Sequence, residues 1–244
     1  MKAMVLAAGL GTRLRPLTDD RPKALVEVCG RSLLEITLTR LRDFGIHDVI
    51  INVHHYPDMV IDRVKAAGNF GMNIEFSRED VLLDTGGGLK KAAWFLGDNS
   101  DKPFILHNVD VISTIDLQRM VEAHKESGAL ATLAVQERKS SRYLMFNDRL
   151  QLCGRRLVKE EKTEIVCPSQ ALTELAFAGI HVISPRIFPR LTEDGVFSII
   201  PAYLRLAAQG EKIQAFRADE YYWRDLGKPG NIRQAEEDVR ANNV

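Results

Sequence analysis

Strands and helices are predicted to alternate along the first third of this chain. A short apolar strand starts at Ala3, a strand rich in valine and isoleucine covers residues 48–53, and another strand covers residues 73–77. Leucines at helical spacing lie between the first two strands, at Leu34, Leu38 and Leu41. Because consecutive strands joined through a helix run parallel, the pattern predicts an α/β fold with a mixed, mainly parallel sheet and helices on both faces.

The first strand runs into a glycine loop that is followed by basic residues. Gly9 and Gly11 interrupt the apolar run, and Arg13, Arg15 and Lys23 follow within the next residues. Glycine allows backbone N–H groups to approach an anion closely, since no Cβ intervenes. The loop is therefore predicted to bind phosphate groups.

The spacing of this loop matches neither of two common phosphate motifs. A dinucleotide fingerprint needs a third glycine where Leu14 stands, and a P-loop needs Gly-Lys-Ser/Thr where the chain has Leu14, Arg15 and Pro16. The run G-L-G-T-R-L-R-P-L-T, followed by Pro22 and Lys23, instead resembles the signature of the sugar-1-phosphate nucleotidyltransferases. The resemblance extends to the small mannose-1-phosphate guanylyltransferases and N-acetylmuramate-1-phosphate uridylyltransferases.

This resemblance implies a Rossmann-like sheet of the nucleotide-diphospho-sugar transferase type and a specific reaction. A nucleoside monophosphate would pass from a nucleoside triphosphate to a sugar-1-phosphate, with release of pyrophosphate. Arg13 would contact the β- and γ-phosphates, and Lys23 would bridge the α-phosphate and the sugar phosphate as the second catalytic cation. Further nucleotide contacts of the loop are assigned to Ala8, Gly9, Gly11 and Thr12.

A second glycine run stands directly before a predicted helix. In the resembled family the matching loop faces the nucleotide base and ribose, so Gly86 and Gly87 are predicted to contact the nucleotide. Residues 103–114 are predicted as one strand with polar residues towards its carboxyl end. Asn108, among these polar residues, is predicted as a further nucleotide contact.

The resemblance also implies a magnesium site. Its two carboxylates match Asp110, near Asn108, and Asp225, in a segment that resembles the family pattern W-x-D-x-G-x-P. Magnesium prefers such hard oxygen ligands together with substrate phosphates. The chain departs from the family pattern at Val109, which replaces a glycine, and His107 is expected to be a packed strand residue.

The sugar side is less clearly marked in the sequence. A hairpin is predicted to turn at Asn147 and Asp148, and the charged residues 155–169 after it are predicted to form a surface excursion. Glu161 is the candidate sugar ligand in that stretch, and Gly179, in a later strand, is predicted to leave space beside the sugar.

The amino-acid composition limits the binding partners and the cellular compartment that we expect for this protein. Lysine plus arginine equals aspartate plus glutamate at 33 each, which predicts no nucleic-acid and no membrane partner, so that anion binding must be local. An odd number of scattered cysteines and the lack of a signal-like or membrane-spanning segment predict a cytoplasmic protein. Residues 1–244 are expected to form a single catalytic domain.

Two alternatives remain open at this stage. A phosphocholine cytidylyltransferase would share the loop and the metal scheme but needs an aromatic or acidic cage for a quaternary ammonium group. A catalytically silent, nucleotide-sensing subunit would keep the fold and would be expected to lose Arg13, Lys23 or an aspartate, all of which are present.

Overall fold

Strands and helices alternate in the computed structural model, which describes residues 1–97 and 101–241. The strands are β1 Lys2–Leu6, β2 Glu27–Val28, β3 Arg31–Ser32, β4 Asp48–Val53, β5 Asn73–Arg78, β6 Phe104–Asn108, β7 Val111–Ser113, β8 Ala131–Gln136, β9 Arg142–Phe146, β10 Leu152–Leu157, β11 Lys162–Ile165, β12 Thr173–Ile183, β13 Ile213–Arg217 and β14 Trp223–Asp225. The helices are α1 Leu33–Asp43, α2 Pro57–Ala66, α3 Asp84–Lys91, α4 Ala93–Leu96, α5 Leu117–Ser127, α6 Ile199–Ala208 and α7 Pro229–Arg240. The three strands predicted at the start of the chain are confirmed.

The central sheet has the strand order β5-β4-β1-β6-β12-β8-β13. β5, β4, β1 and β6 are parallel, as are β8 and β13, while β12 runs antiparallel to both of its neighbours. Val5 of β1 lies between Ile51 of β4 and His107 of β6. The carboxyl ends of these three strands therefore meet at one edge of the sheet, where open α/β sheets bind ligands.

Helices cover both faces of this sheet, as predicted. Apolar side chains of α1, α2, α5 and α7 pack on one face, and those of α3, α4 and α6 pack on the other. The central strands are buried on both sides, which explains their nearly continuous apolar sequences. Ser32 caps the N-terminus of α1, since its Oγ accepts a hydrogen bond from the Glu35 N–H at 3.1 Å.

An antiparallel extension grows from the long strand β12. Its first half pairs with β9, which continues to β10 and β11, whereas its second half pairs with β6 and β8. Residues 155–169 lie at the surface, as predicted, but the expectation of an irregular loop was wrong, because β10 and β11 form a hairpin there. Its charged side chains pair across strands, Arg155 with Glu164 and Arg156 with Glu174, so a strand survives without an apolar pattern.

The segment predicted as one strand over residues 103–114 is interrupted. β6 ends at Asn108, the chain turns at Val109 and Asp110, and β7 leaves the central sheet to pair with β14. Asp110 therefore lies in a turn between two strands rather than inside one.

None of the helices in residues 1–97 and 101–241 is long and apolar enough to cross a membrane.

Candidate active site

The glycine loop leaves the sheet at the carboxyl end of β1. Gly11 has a left-handed backbone with φ of 66°, and its carbonyl accepts a hydrogen bond from Thr18 Oγ1 at 2.9 Å. A Cβ at Gly11 would lie 3.0 Å from Thr18 Cγ2 and 3.1 Å from Lys23 Cβ. The glycine thus lets the chain fold back so that Lys23 stands beside the loop, and Thr12 continues into a short 3-10 turn.

Lys23 and Asp110 form an ion pair beyond the carboxyl ends of β1 and β6. Lys23 Nζ lies 3.0 Å from Asp110 Oδ2, and the two side chains are only 15% and 11% exposed. Lys23 Nζ would also lie 3.4 Å from a Cβ at Gly9, so the ammonium group stands directly against the loop. A partly buried ammonium group and a carboxylate therefore face the space in front of β1 and β6.

Strand pairing brings Asp110 and Asp225 together. β14 runs antiparallel to β7, with Asp225 opposite Val111, and the Leu226 N–H donates to the Asp110 carbonyl at 2.7 Å. The two aspartates, distant in sequence, consequently occupy adjacent positions at the end of this small ribbon.

Arg13 approaches the same place from the loop side. Asp225 Oδ1 accepts the Gly227 N–H at 2.6 Å. A Cβ on Gly227 would lie 2.5 Å from Arg13 Nη2 and 2.7 Å from Asp225 Oδ1. Gly227, the glycine of the W-x-D-x-G-x-P segment, therefore makes room for the guanidinium beside the carboxylate.

Two cavities meet at Asn108 and Asp110. The smaller, about 340 Å³, is lined by the glycine loop, by Lys23 and by residues at the start of α3; the larger, about 680 Å³, is lined by Arg13, Asp225 and the β9–β12 side. Asn108 and Asp110 line both. The arrangement can hold two ligands whose reacting ends meet between Lys23 and Asp225.

The larger cavity is basic although the chain has no net charge. Its basic side chains are Arg13, Arg138, Arg142, Lys159 and Lys228. Its acidic side chains are Asp110, Asp225 and Glu160. The excess of positive charge makes this cavity suited to an anionic ligand.

Arg138 was missed by the sequence analysis. Its guanidinium lies 3.6 Å from the centroid of the Trp223 ring, and Nη2 donates to the Phe177 carbonyl at 2.7 Å. Burial lowers the pKa of Arg138, an effect that the nearby Asp225 opposes. The sequence signal that could have pointed to Arg138 is Trp223, the aromatic residue of the W-x-D segment. The arginine that stacks on this ring comes from a distant part of the chain, so no motif contains both.

The sugar-side candidates lie in different places. Gly179, with φ of 77°, sits at the register shift of β12 and lines the larger cavity beside Asn108. Glu161 occupies an exposed turn position with φ of 49°, while the preceding Lys159 and Glu160 line the larger cavity. The sugar contact of Glu161 stays a prediction, and its neighbours are better placed.

Gly86 and Gly87 lie inside the first turns of α3, not in a loop before it. Their N–H groups donate to the Phe197 carbonyl at 2.9 and 3.2 Å, and a Cβ at either position would overlap the segment 195–197. Close packing of that segment accounts for both glycines. Their nucleotide contact stays a prediction, whereas the preceding Asp84 and Thr85 line the smaller cavity.

His107 is a packed strand residue, as expected. It is 1% exposed, its Nδ1 donates to the Asn108 carbonyl at 2.8 Å, and burial lowers its pKa to about 4. The imidazole is therefore neutral at physiological pH and supports the turn that carries Asp110.

Replacement of Gly179 by alanine is expected to lower stability by more than backbone strain alone. A positive φ costs a non-glycine residue about 1–3 kcal/mol. The new Cβ would also lie 2.9 Å from Val111 Cγ2 and 3.0 Å from Asn108 Nδ2. Gly128→Ala is the matched control, because Gly128 has φ of 62° and no atom within 4 Å of its Cβ position. Equal drops in Tm for the two variants would contradict the expected contact.

Comparisons with known proteins agree with one another. Residues 2–242 match the family model described as nucleotidyl transferase. The N-acetylmuramate alpha-1-phosphate uridylyltransferase of Caulobacter vibrioides is 36% identical over 238 residues, which cover 93% of this chain and 92% of that protein. The mannose-1-phosphate guanyltransferase 2 of Candida glabrata is 32% identical, over 94% of this chain and 62% of its own length.

Solved structures share the fold. HddC from Yersinia pseudotuberculosis, in complex with GMP-PN, has a TM-score of 0.76 at 23% identity and covers 98% of this chain and 99% of its own. A UDP-glucose pyrophosphorylase complexed with UDP-glucose also has a TM-score of 0.76, at 18% identity, and covers 99% of this chain and 98% of its own.

Proposed function

The chain belongs to the nucleotidyl transferase family, which confirms the resemblance seen in its sequence, and we propose that it transfers a nucleoside monophosphate from a nucleoside triphosphate to a sugar-1-phosphate. The observation that carries this proposal is the convergence of Arg13, Lys23, Asp110 and Asp225 where the two cavities meet. The triphosphate would occupy the smaller cavity with its β- and γ-phosphates reaching Arg13, which lines the larger one, and the sugar phosphate would occupy the rest of the larger cavity. Residues 1–244 would act as one catalytic domain.

The reaction asks the protein to position two polyanions. The attacking sugar phosphate oxygen is already anionic, so no side chain needs to remove a proton from it before it attacks the α-phosphorus in line with departing pyrophosphate. Lys23, now paired with Asp110, would contact the α-phosphate and the incoming phosphate. Arg13 would stabilise the leaving pyrophosphate, and the N–H groups of the glycine loop would complete the cradle.

Asp110 and Asp225 would hold a magnesium ion. Two hard carboxylates from adjacent strand ends fit this ion, because it takes one or two carboxylates and completes its shell with waters and substrate phosphates. Residues 1–97 and 101–241 contain no cluster of three or more His, Cys, Asp or Glu side chains that could hold a metal. When bound, magnesium would neutralise phosphate charge.

The basic larger cavity favours an acceptor with more than one anionic group. N-acetylmuramate 1-phosphate carries a carboxylate as well as its phosphate. The match to the uridylyltransferase that is named for this sugar phosphate covers almost the whole of both proteins. Arg138, Arg142 and Lys159 are available on the cavity wall for that carboxylate. We therefore propose UTP and N-acetylmuramate 1-phosphate as the substrates. We also propose that the protein acts in the cytoplasm, where its three free cysteines would stay reduced.

The aromatic residues do not favour phosphocholine. The Trp223 ring is covered by the Arg138 guanidinium at 3.6 Å, and this cation would repel a quaternary ammonium group. The Tyr222 hydroxyl donates to Asp238 at 2.6 Å, and the Tyr143 hydroxyl accepts the Ser140 N–H at 2.9 Å, so these side chains serve protein contacts.

A pyrophosphate-release matrix tests the proposal. UTP, GTP, CTP and dTTP are each combined with N-acetylmuramate 1-phosphate, mannose 1-phosphate, glucose 1-phosphate and phosphocholine, with magnesium or with a chelator. Release is expected to be fastest for UTP with N-acetylmuramate 1-phosphate and to be lost with the chelator. Release with CTP and phosphocholine would support the cytidylyltransferase alternative. Triphosphate binding without release for any acceptor would support a silent subunit.

A further inference from the structure

A buried side-chain bridge joins the glycine loop to the start of α3. Asn52, at the end of β4, is 3% exposed; its Oδ1 accepts the Ala7 N–H at 2.7 Å and its Nδ2 donates to Glu79 Oε1 at 2.8 Å. Glu79 is 4% exposed, and its Oε2 accepts the Leu83 N–H at 2.9 Å. Three hydrogen bonds in series thus connect two loops that are distant in sequence.

α3 rests directly on this bridge. A Cβ at Gly88 would lie 2.8 Å from Glu79 Oε1 and 3.0 Å from Asn52 Nδ2, so any side chain at this position would displace the pair. Gly88, the third glycine of the run, therefore allows the helix backbone to pack directly on the Asn52 amide and the Glu79 carboxylate.

Each end of the bridge adjoins one wall of the smaller cavity. Ala7 immediately precedes Ala8 and Gly9, which line one wall, and Leu83 stands between Leu82 and Asp84, which line another. Asn52 itself reaches the cavity, whereas Glu79 is not among its lining residues and lies behind the wall. A change at Glu79 therefore alters the shape of the cavity through the residues that it holds.

We infer that the Asn52–Glu79 bridge sets the spacing of these walls and thereby the affinity for the nucleoside triphosphate, with Glu79 as a positioning residue. The inference rests on the proposed function, because it takes the smaller cavity as the triphosphate site. The larger cavity shares neither Asn52 nor Glu79, so affinity for the sugar phosphate is not affected by the bridge.

The order of donors and acceptors makes the bridge testable. Both ends are N–H donors, so the pair needs one amide and one carboxylate, as the wild type has. Glu79→Gln gives two amides and leaves two donors facing each other; Asn52→Asp gives two carboxylates that face each other. The double variant Asn52→Asp, Glu79→Gln restores all three hydrogen bonds with the central one reversed, since the introduced glutamine amide then donates to the introduced carboxylate.

The experiment measures steady-state kinetics and calorimetric binding of UTP to the full chain. Glu79→Gln is expected to raise both the KM and the Kd for UTP about tenfold, because two facing donors no longer hold the two loops together and the ligand must order them, and to leave the KM for N-acetylmuramate 1-phosphate unchanged. The double variant is expected to recover part of the UTP affinity lost in Glu79→Gln, because it restores the bridge but places a carboxylate at position 52, which lines the triphosphate cavity. Thr132→Val is the control for a lost buried hydrogen bond, because Thr132 Oγ1 pairs with His124 Nδ1 at 2.9 Å and lines neither cavity.

The outcomes separate this inference from the proposed function. Unchanged UTP constants in folded Glu79→Gln, an equal rise for both substrates, or a folded double variant that is not rescued would each overturn the inference while the wild type stays active. A wild type that binds no triphosphate would overturn the proposed function and the inference with it. If Glu79→Gln does not fold, Gly88→Ala takes its place, because its Cβ would lie 2.8 Å from Glu79 Oε1 and displace the pair. Unchanged UTP constants in folded Gly88→Ala would then overturn the inference.

Discussion

Asp110→Asn is expected to fold normally and to lose nucleotidyl transfer by about a hundredfold or more, the scale seen when a group that stabilises a transition state is removed. The asparagine keeps the size of the side chain and leaves the backbone hydrogen bond from Leu226 to residue 110 intact. It removes the negative charge that lies 3.0 Å from Lys23 Nζ and that would hold magnesium with Asp225. The loss is measured as the rate of pyrophosphate release at saturating substrates.

A magnesium titration sharpens this test. If Asp110 holds the ion, residual activity of Asp110→Asn should need a higher magnesium concentration than the wild type. Asp148→Asn makes the same chemical change at an exposed turn residue after β9 and is expected to keep wild-type activity. Turnover of folded Asp110→Asn within a few-fold of the wild type would falsify the assignment.

Lys23→Ala is expected to lower turnover by about a hundredfold, mainly through kcat, because its charge matters most when phosphate charge shifts in the transition state. The substitution also leaves the Asp110 carboxylate, 11% exposed, without its cationic partner. Both effects are read from kcat and from the KM for each substrate, with a thermal unfolding curve to show that the variant folds.

Two further variants help to interpret Lys23→Ala. Lys125→Ala removes an exposed lysine in the last turn of α5 and should leave kcat unchanged. The double variant Lys23→Ala, Asp110→Asn should lose less than the product of the single losses, since contacting residues are not independent. Losses that simply multiply would show that the two residues act separately.

Most of the central sheet and its helices was predictable, because local patterns carry that information. The valine- and isoleucine-rich run at residues 48–53 forms β4, and Leu34, Leu38 and Leu41 are buried on α1. The hairpin at Asn147 and Asp148, which joins β9 to β10, was also found. The continuation of β10 beyond Gly154 and the strand β11 were not, because they are held by pairing and by cross-strand charges rather than by an apolar alternation.

The site was predictable only in part. The motif around Gly9, Gly11 and Lys23 is continuous in sequence, so its resemblance to a family could be read directly. Arg138 has no motif of its own and enters the site by stacking on Trp223. In the turn between β10 and β11, the sequence pointed to Glu161, whereas the backbone places Lys159 and Glu160 at the cavity.

The α/β class, the glycine loop and the family follow from the amino-acid sequence, because strand periodicity, glycine positions and motif spacing are properties of short segments. Which distant groups meet depends on the folded chain. Asp110 and Asp225 become neighbours because β14 pairs with β7, and Asn52 and Glu79 connect two cavity walls because β4 and β5 lie side by side. Such contacts depend on how strands are ordered in the sheet, and no local pattern contains that order.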